Sequence, residues 1–153
     1  LKEILDRYQV PLIINDNLEV AQKVEASGIH VGTSDISPTQ IRKTWQDVSC
    51  LGYSIEDLKQ LDSLESKTAD YLGISPVFKT ETKTDTIIEW GLSGVAKIRS
   101  LTHQPLVAIG HMNAKNAAEV IQAGANCIAV VSAICAAKDP AKAAEQLRNE
   151  IEK

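Results

Sequence analysis

The sequence predicts an α/β protein in which parallel strands alternate with helices, and three observations carry that expectation. First, six short runs are almost continuously apolar rather than alternating, at residues 10–14, 29–31, 50–53, 71–74, 106–109 and 128–131, the pattern of strands covered on both faces. Second, the segments between them place apolar residues at helical spacing, over 18–26, 41–45, 58–64, 92–101, 117–123 and 141–151. Third, start and stop signals agree with these spans. Ser37-Pro38 and Asp139-Pro140 each set a capping residue before proline at the first helical position. Gly28 and Gly124 stand where a helix is expected to end and a strand to begin. The spacing amounts to a faint repeat of compact strand–helix units of about 20 residues. An open doubly wound sheet and a (β/α)8 barrel both satisfy this order, and in both the ligand lies beyond the carboxyl ends of the strands.

Composition narrows the function. The 153 residues carry 16 Lys+Arg against 20 Asp+Glu, a formal charge of −4, with no basic run, so neither nucleic acid nor an anionic membrane surface is expected as a partner. No apolar stretch reaches the roughly 18–20 residues of a membrane span and no secretory pattern opens the chain, which points to the cytoplasm. Cys50, Cys127 and Cys135 are odd in number and widely spaced in or beside apolar runs, as expected of reduced core thiols.

The residues that follow each strand are the candidates for chemistry. Asp16 and Asp35 follow consecutive strands, where two carboxylates on one rim suit a hard divalent cation completed by substrate phosphates. Asp is also a favoured helix N-cap, so the same pair reads equally as two capping residues. The 75–89 connection is the one long loop, and its Thr80, Thr82 and Lys83 supply two hydroxyls and an ammonium suited to phosphate oxygens. Gly110 and Ser132 follow the last two strands, where small residues admit an anion to the backbone, although a turn and a helix cap account for them too. Of the histidines, His111 alone directly follows a strand, His30 reads as a satisfied core or rim residue, and His103 complements a helix end. Trp45 and Trp90 read as packing residues.

Taken in order, Val10-Pro11-Leu12-Ile13-Ile14-Asn15-Asp16, Gly28-Ile29-His30-Val31-Gly32-Thr33-Ser34-Asp35, the Asp70-Tyr71-Leu72-Gly73-Ile74-Ser75-Pro76-Val77-Phe78 segment running into Thr80-Glu81-Thr82-Lys83, and the ends at Ile109-Gly110 and Val131-Ser132 resemble thiamine-phosphate synthase. The resemblance implies a (β/α)8 TIM barrel that joins hydroxymethylpyrimidine diphosphate to hydroxyethylthiazole phosphate, giving thiamine phosphate and pyrophosphate with the help of Mg²⁺. By position, Asp16 and Asp35 would hold Mg²⁺. Asn15, Ser54 and Lys83 would contact the pyrimidine diphosphate, with Lys83 and Ser54 carrying catalysis. Thr80, Glu81, Thr82, His111, Val131 and Ser132 would meet the thiazole phosphate. The partners implied are these small molecules, and a homo-oligomer is compatible with the resemblance.

Two departures stand out. The family usually has Gly-Gly after the penultimate strand, and here the second glycine is His111, whose side chain enters space otherwise left to the anion. The family's first two strand–helix units, with a Gln-Leu-Arg-x-Lys-like basic motif, have no counterpart. A complete barrel needs roughly 200–250 residues, so the expected architecture is a single domain over residues 1–153 forming six of eight barrel strands, incomplete at the N-terminus. Rival readings are a thiazole tautomerase-like barrel, whose histidine is replaced by the 53–56 segment Tyr-Ser-Ile-Glu, a phosphorylatable receiver domain, and a non-catalytic barrel that binds phosphorylated thiazole. A receiver needs an acidic pair after its first strand, where this chain has one Asp.

Overall fold

A computed structural model describes residues 1–79 and 89–153. The six expected strands are all present: β1 (Ile13–Asn15), β2 (Gly28–Val31), β3 (Cys50–Ile55), β4 (Tyr71–Ile74), β5 (Leu106–Ile109) and β6 (Cys127–Ala129). They form one sheet in chain order, β1-β2-β3-β4-β5-β6. Eight helices accompany them among the described residues: α1 (Lys2–Arg7), α2 (Leu18–Lys23), α3 (Pro38–Thr44), α4 (Leu64–Thr68), α5 (Gly91–Leu101), α6 (Ala117–Gln122), α7 (Ser132–Cys135) and α8 (Pro140–Ile151). Two compact units divide the chain, Leu1–Leu72 and Gly73–Lys153.

In the first unit β1, β2 and β3 are parallel, with Asn15 opposite His30 and His30 opposite Gly52. Side chains alternate between faces along a strand. One face of β2 and β3 therefore presents Ile29, Val31, Leu51, Tyr53 and Ile55, all buried with Ala21 of α2 and Ile41 of α3. The other presents His30, Gly52 and Ser54. Gly28 is required by proximity: a Cβ there would lie 2.0 Å from the Cys50 carbonyl oxygen. It does not end α2, as the sequence suggests; Glu25, at φ 51, takes the left-handed position there.

The expected helix over 58–64 is divided. A 3-10 turn (Leu58–Asp62) stops at Ser63, whose extended backbone and hydroxyl cap α4 by accepting from Ser66 N. Asp70 ties the ends of β3 and β4: one carboxylate oxygen accepts from the Leu51 amide at 2.7 Å and from Arg42 at 2.6 Å.

In the second unit β5 and β6 are parallel, with Val107 opposite Cys127, over a core that includes Val95, Ile98, Leu106, Ala108, Val120 and Leu147. Asp139 caps α8 through Lys142 N at 3.0 Å, as its Asp-Pro pair predicts. Gly124, at φ 117, closes α6 as expected. Trp90 is buried, in keeping with packing, and a Cβ on Gly94 would fall 2.8 Å from its own Cβ.

The expectation of core thiols is corrected. All three cysteines are free, but Cys127 and Cys135 are exposed and Cys50 is only half-buried. Among the described residues β6 pairs on one side only, with β5, and Cys127 and Ala129 are exposed.

Gly28→Ala is expected to lower unfolding free energy by about 3 kcal/mol, because a rigid carbonyl rather than a movable side chain occupies the space. Urea unfolding at constant m-value measures this, and a loss below about 1 kcal/mol would contradict it.

Candidate active site

The carboxyl ends of β2, β3 and the start of β4 bring three polar side chains into one hydrogen-bonded chain. His30 Nδ1 lies 2.9 Å from Tyr71 Oη and His30 Nε2 lies 2.8 Å from Ser54 Oγ. The His30 and Tyr71 rings also stack, with centroids 5.4 Å apart and planes 26° apart. Gly52 makes this arrangement sterically feasible: a Cβ there would sit 2.1 Å from Tyr71 Cζ and 2.3 Å from His30 Nδ1. Burial holds the His30 imidazole below the usual histidine range, against an opposing pull from the Asp35 carboxylate. Its ring is therefore neutral near pH 7. The reading of His30 as a satisfied histidine holds. What the sequence reading missed is Tyr71, for which the available signal was a glycine inside an otherwise apolar strand.

Asp16 and Asp35 read equally as caps or as ligands, and the structure separates the two. Helix α2 is capped by Asn17, whose side chain accepts from Val20 N at 2.9 Å, and α3 by Ser37, which accepts from Gln40 N at 3.3 Å. Neither aspartate is a cap. Asp16 instead ends β1 in the left-handed region, at φ 64. Its amide donates to the His30 carbonyl at 2.9 Å, and Asn15 Nδ2 donates to its Oδ2 at 2.6 Å. Asp35 Oδ2 accepts from the Gly32 amide at 2.7 Å, which folds the loop after β2 back on itself.

Among the described residues no three His, Cys, Asp or Glu side chains gather into a metal cage. A hard cation that keeps water and substrate phosphates in its shell needs only one or two carboxylates. Two aspartates and a carboxamide, with no thiol or imidazole ligand, match that chemistry.

In the second unit Gly110 has φ 107, and a Cβ on it would fall 2.8 Å from Pro76 Cβ and 3.0 Å from the Phe78 carbonyl oxygen. His111 follows with φ 54 and an exposed side chain. A left-handed histidine is uncommon though tolerated, so the backbone keeps a conformation that glycine adopts freely. Asn113 and Asn116 hold the turn by donating to the His111 carbonyl, both at 3.0 Å. Val131 is exposed and precedes α7, and Ser132 is the first residue of that helix rather than a side-chain cap. Thr80, Glu81, Thr82 and Lys83 lie outside the described residues.

Parallel strands joined by helices, with carboxylates after β1 and β2 and a neutral histidine and a serine near the carboxyl ends of β2 and β3, define an α/β protein of the class that carries its chemistry at the strand ends. Residues 1–134 match the family model described as thiamine monophosphate synthase. The chain is 46% identical over 152 residues to the thiamine-phosphate synthase of Albidiferax ferrireducens, covering 99% of this chain and 69% of that protein. It is 43% identical over 147 residues to the thiamine-phosphate synthase of Vibrio campbellii, covering 96% of this chain and 72% of that one. The solved structure of thiamine phosphate pyrophosphorylase from Pyrococcus furiosus superposes with a TM-score of 0.89 at 34% identity, over 99% of this chain and 72% of that chain. The chain belongs to the thiamine-phosphate synthase family, a family of transferases.

Two measurements check the geometry. Replacing Asn17 by Ala should cost about 1 kcal/mol in urea unfolding through the lost cap, and a loss below a few tenths of a kcal/mol would show that its side chain does not cap α2. Because the folded His30 titrates below its ordinary value of 6.5, its contribution to stability is complete above that pH. It is lost as pH falls through the folded value, since the unfolded chain takes up the proton first. The melting temperature of the native chain should fall more steeply between about pH 7.5 and about pH 5 than that of His30→Gln, and parallel curves would contradict this.

Proposed function

We propose that the rim of β1, β2 and β3 binds the pyrimidine diphosphate of a thiamine-phosphate synthase reaction, and that the sheet corresponds to six strands of a (β/α)8 TIM barrel. The reaction joins 4-amino-2-methyl-5-(diphosphooxymethyl)pyrimidine to hydroxyethylthiazole phosphate. The carbon–oxygen bond to the diphosphate breaks with its electron pair leaving on pyrophosphate. The resulting pyrimidine-stabilised cation is captured by the thiazole nitrogen. The observation that carries this reading is the division of labour after β1 and β2: Asn17 and Ser37 cap the helices, and Asp16 and Asp35, which cap neither, follow the carboxyl ends of the two strands.

Each residue role follows from charge and donor type. Asp16 and Asp35 would hold Mg²⁺, with Asn15 fixing the Asp16 carboxylate. When bound, the ion neutralises charge that develops on a leaving diphosphate. Ser54, a buried serine near the carboxyl end of β3, would donate to the diphosphate. Lys83 supplies the ammonium for the leaving group, a contact of the kind worth about 10²–10³ in rate. Thr80, Glu81 and Thr82 belong with the thiazole phosphate, Glu81 through its backbone because its carboxylate would repel an anion. Gly110, Val131 and Ser132 offer backbone and hydroxyl donors to the same group. Among the described residues no helix is long and apolar enough to cross a membrane.

The test is formation of thiamine phosphate from the two phosphorylated precursors, with and without Mg²⁺. Product should depend on the metal, and Asp16→Ala and Lys83→Ala should each lower kcat/KM by about 100-fold. Unchanged rates would remove those roles, and no product under any condition would overturn the reading. His111→Gly should relieve the left-handed backbone and tighten thiazole phosphate about threefold or more. Equal affinity over about pH 6–8 would show that the histidine leaves the site undisturbed.

A further inference from the structure

We propose that Tyr71 and His30 form a positioning pair that holds the Ser54 hydroxyl as a donor toward a bound diphosphate oxygen. The proposal rests on the reading of Ser54 as a diphosphate contact and adds what fixes the direction of its proton. A neutral imidazole donates from one ring nitrogen and accepts at the other. Both nitrogens of His30 face hydroxyl groups, Tyr71 Oη at 2.9 Å and Ser54 Oγ at 2.8 Å, so the tautomer is decided by which hydroxyl donates inward. A phenol, with pKa about 10, gives up its hydrogen-bonding proton more readily than an alcohol. Tyr71 Oη–H therefore donates to Nδ1, the proton of the ring resides on Nε2, and Nε2–H donates to Ser54 Oγ. With that lone pair engaged, the Ser54 O–H is turned away from the ring and toward the ligand. In the opposite tautomer the Ser54 O–H would donate to Nε2 and leave only oxygen lone pairs toward the diphosphate, which repel it.

The structure is built to keep this order. Gly52, opposite His30 in the ladder, leaves out the Cβ that would collide with both rings. Ring stacking restrains the imidazole from flipping. The Asp16 amide bonds the His30 carbonyl at 2.9 Å, so the strand that carries the imidazole is fixed at the same point.

Side-chain 15N NMR of the full chain reads the tautomer directly. The native protein should show His30 protonated at Nε2, and Tyr71→Phe should shift the population toward Nδ1–H. A native Nδ1–H tautomer, or a tautomer unmoved by Tyr71→Phe, would overturn the proposal. Kinetics supply the second reading. His30→Leu should lower kcat about tenfold with KM within about twofold, whereas His30→Gln, which keeps a donor near the Nε2 position, should retain most of the rate. In a Ser54→Ala background His30→Leu should cost nothing further, because both changes remove one interaction. Additive losses would instead mark His30 as merely structural. A native chain that forms no thiamine phosphate would defeat the functional reading, and the tautomer measurement would still decide the positioning pair.

Discussion

The close approach of β2 and β3 is the constraint on which the first unit depends. Two missing side chains make it available. At Gly28 the facing carbonyl of Cys50 would meet a Cβ at 2.0 Å, and at Gly52 the Tyr71 and His30 rings occupy the space that a Cβ would need. The first glycine sets the ladder and the second converts the rim of that ladder into a polar site. This register sets the reach of His30 to Ser54, while the β1–β2 ladder aligns Asn15 with His30 and ends with the Asp16 amide bond to the His30 carbonyl. A neutral, half-buried imidazole between two hydroxyls is costly to assemble unless every polar group finds a partner, and here both ring nitrogens do.

The strand-end aspartates are separated from the helix caps by one position after β1 and by two after β2. Had Asp16 or Asp35 been the cap, its carboxylate would accept from the amides of the first turn of the following helix. Asn17 and Ser37 take that task one and two residues later, and the aspartates remain at the strand ends. Asp35 gives one oxygen to the Gly32 amide, a bond that orients the carboxylate and still leaves acceptor capacity on the group. The left-handed conformation of Asp16 turns the chain at the end of β1, with Asn15 bonded to its carboxylate.

Much of the fold was legible because parallel strands buried on both faces read as unbroken apolar runs. The run at 71–74 coincides with β4, and that at 106–109 with β5. The outer strands were legible only in part. Pro11 lacks an amide and Val10 is exposed, so β1 begins at Ile13; Val131 turns toward α7, so β6 ends at Ala129. The helix over 58–64 was drawn as one because its apolar spacing is continuous, whereas Ser63 interrupts it by capping α4 with its own side chain. At the site, residue types at the strand ends pointed to a divalent cation and phosphate, and the family resemblance assigned roles. The aspartate roles could not be separated from capping without backbone geometry. The Tyr71–His30–Ser54 chain was not legible because it joins three strands through side-chain directions that no spacing records.

The central claim is that the rim of β1, β2 and β3 receives a metal-bound diphosphate. Titrating Mg²⁺ and inorganic pyrophosphate together into the 15N-labelled chain tests it most directly. The account predicts amide shifts concentrated at Asn15, Asp16, the loop from Gly32 to Asp35, and Ser54, all diminished without Mg²⁺ and lost in Asp16→Ala. Shifts confined to other residues, or equal shifts with and without the metal, would contradict it.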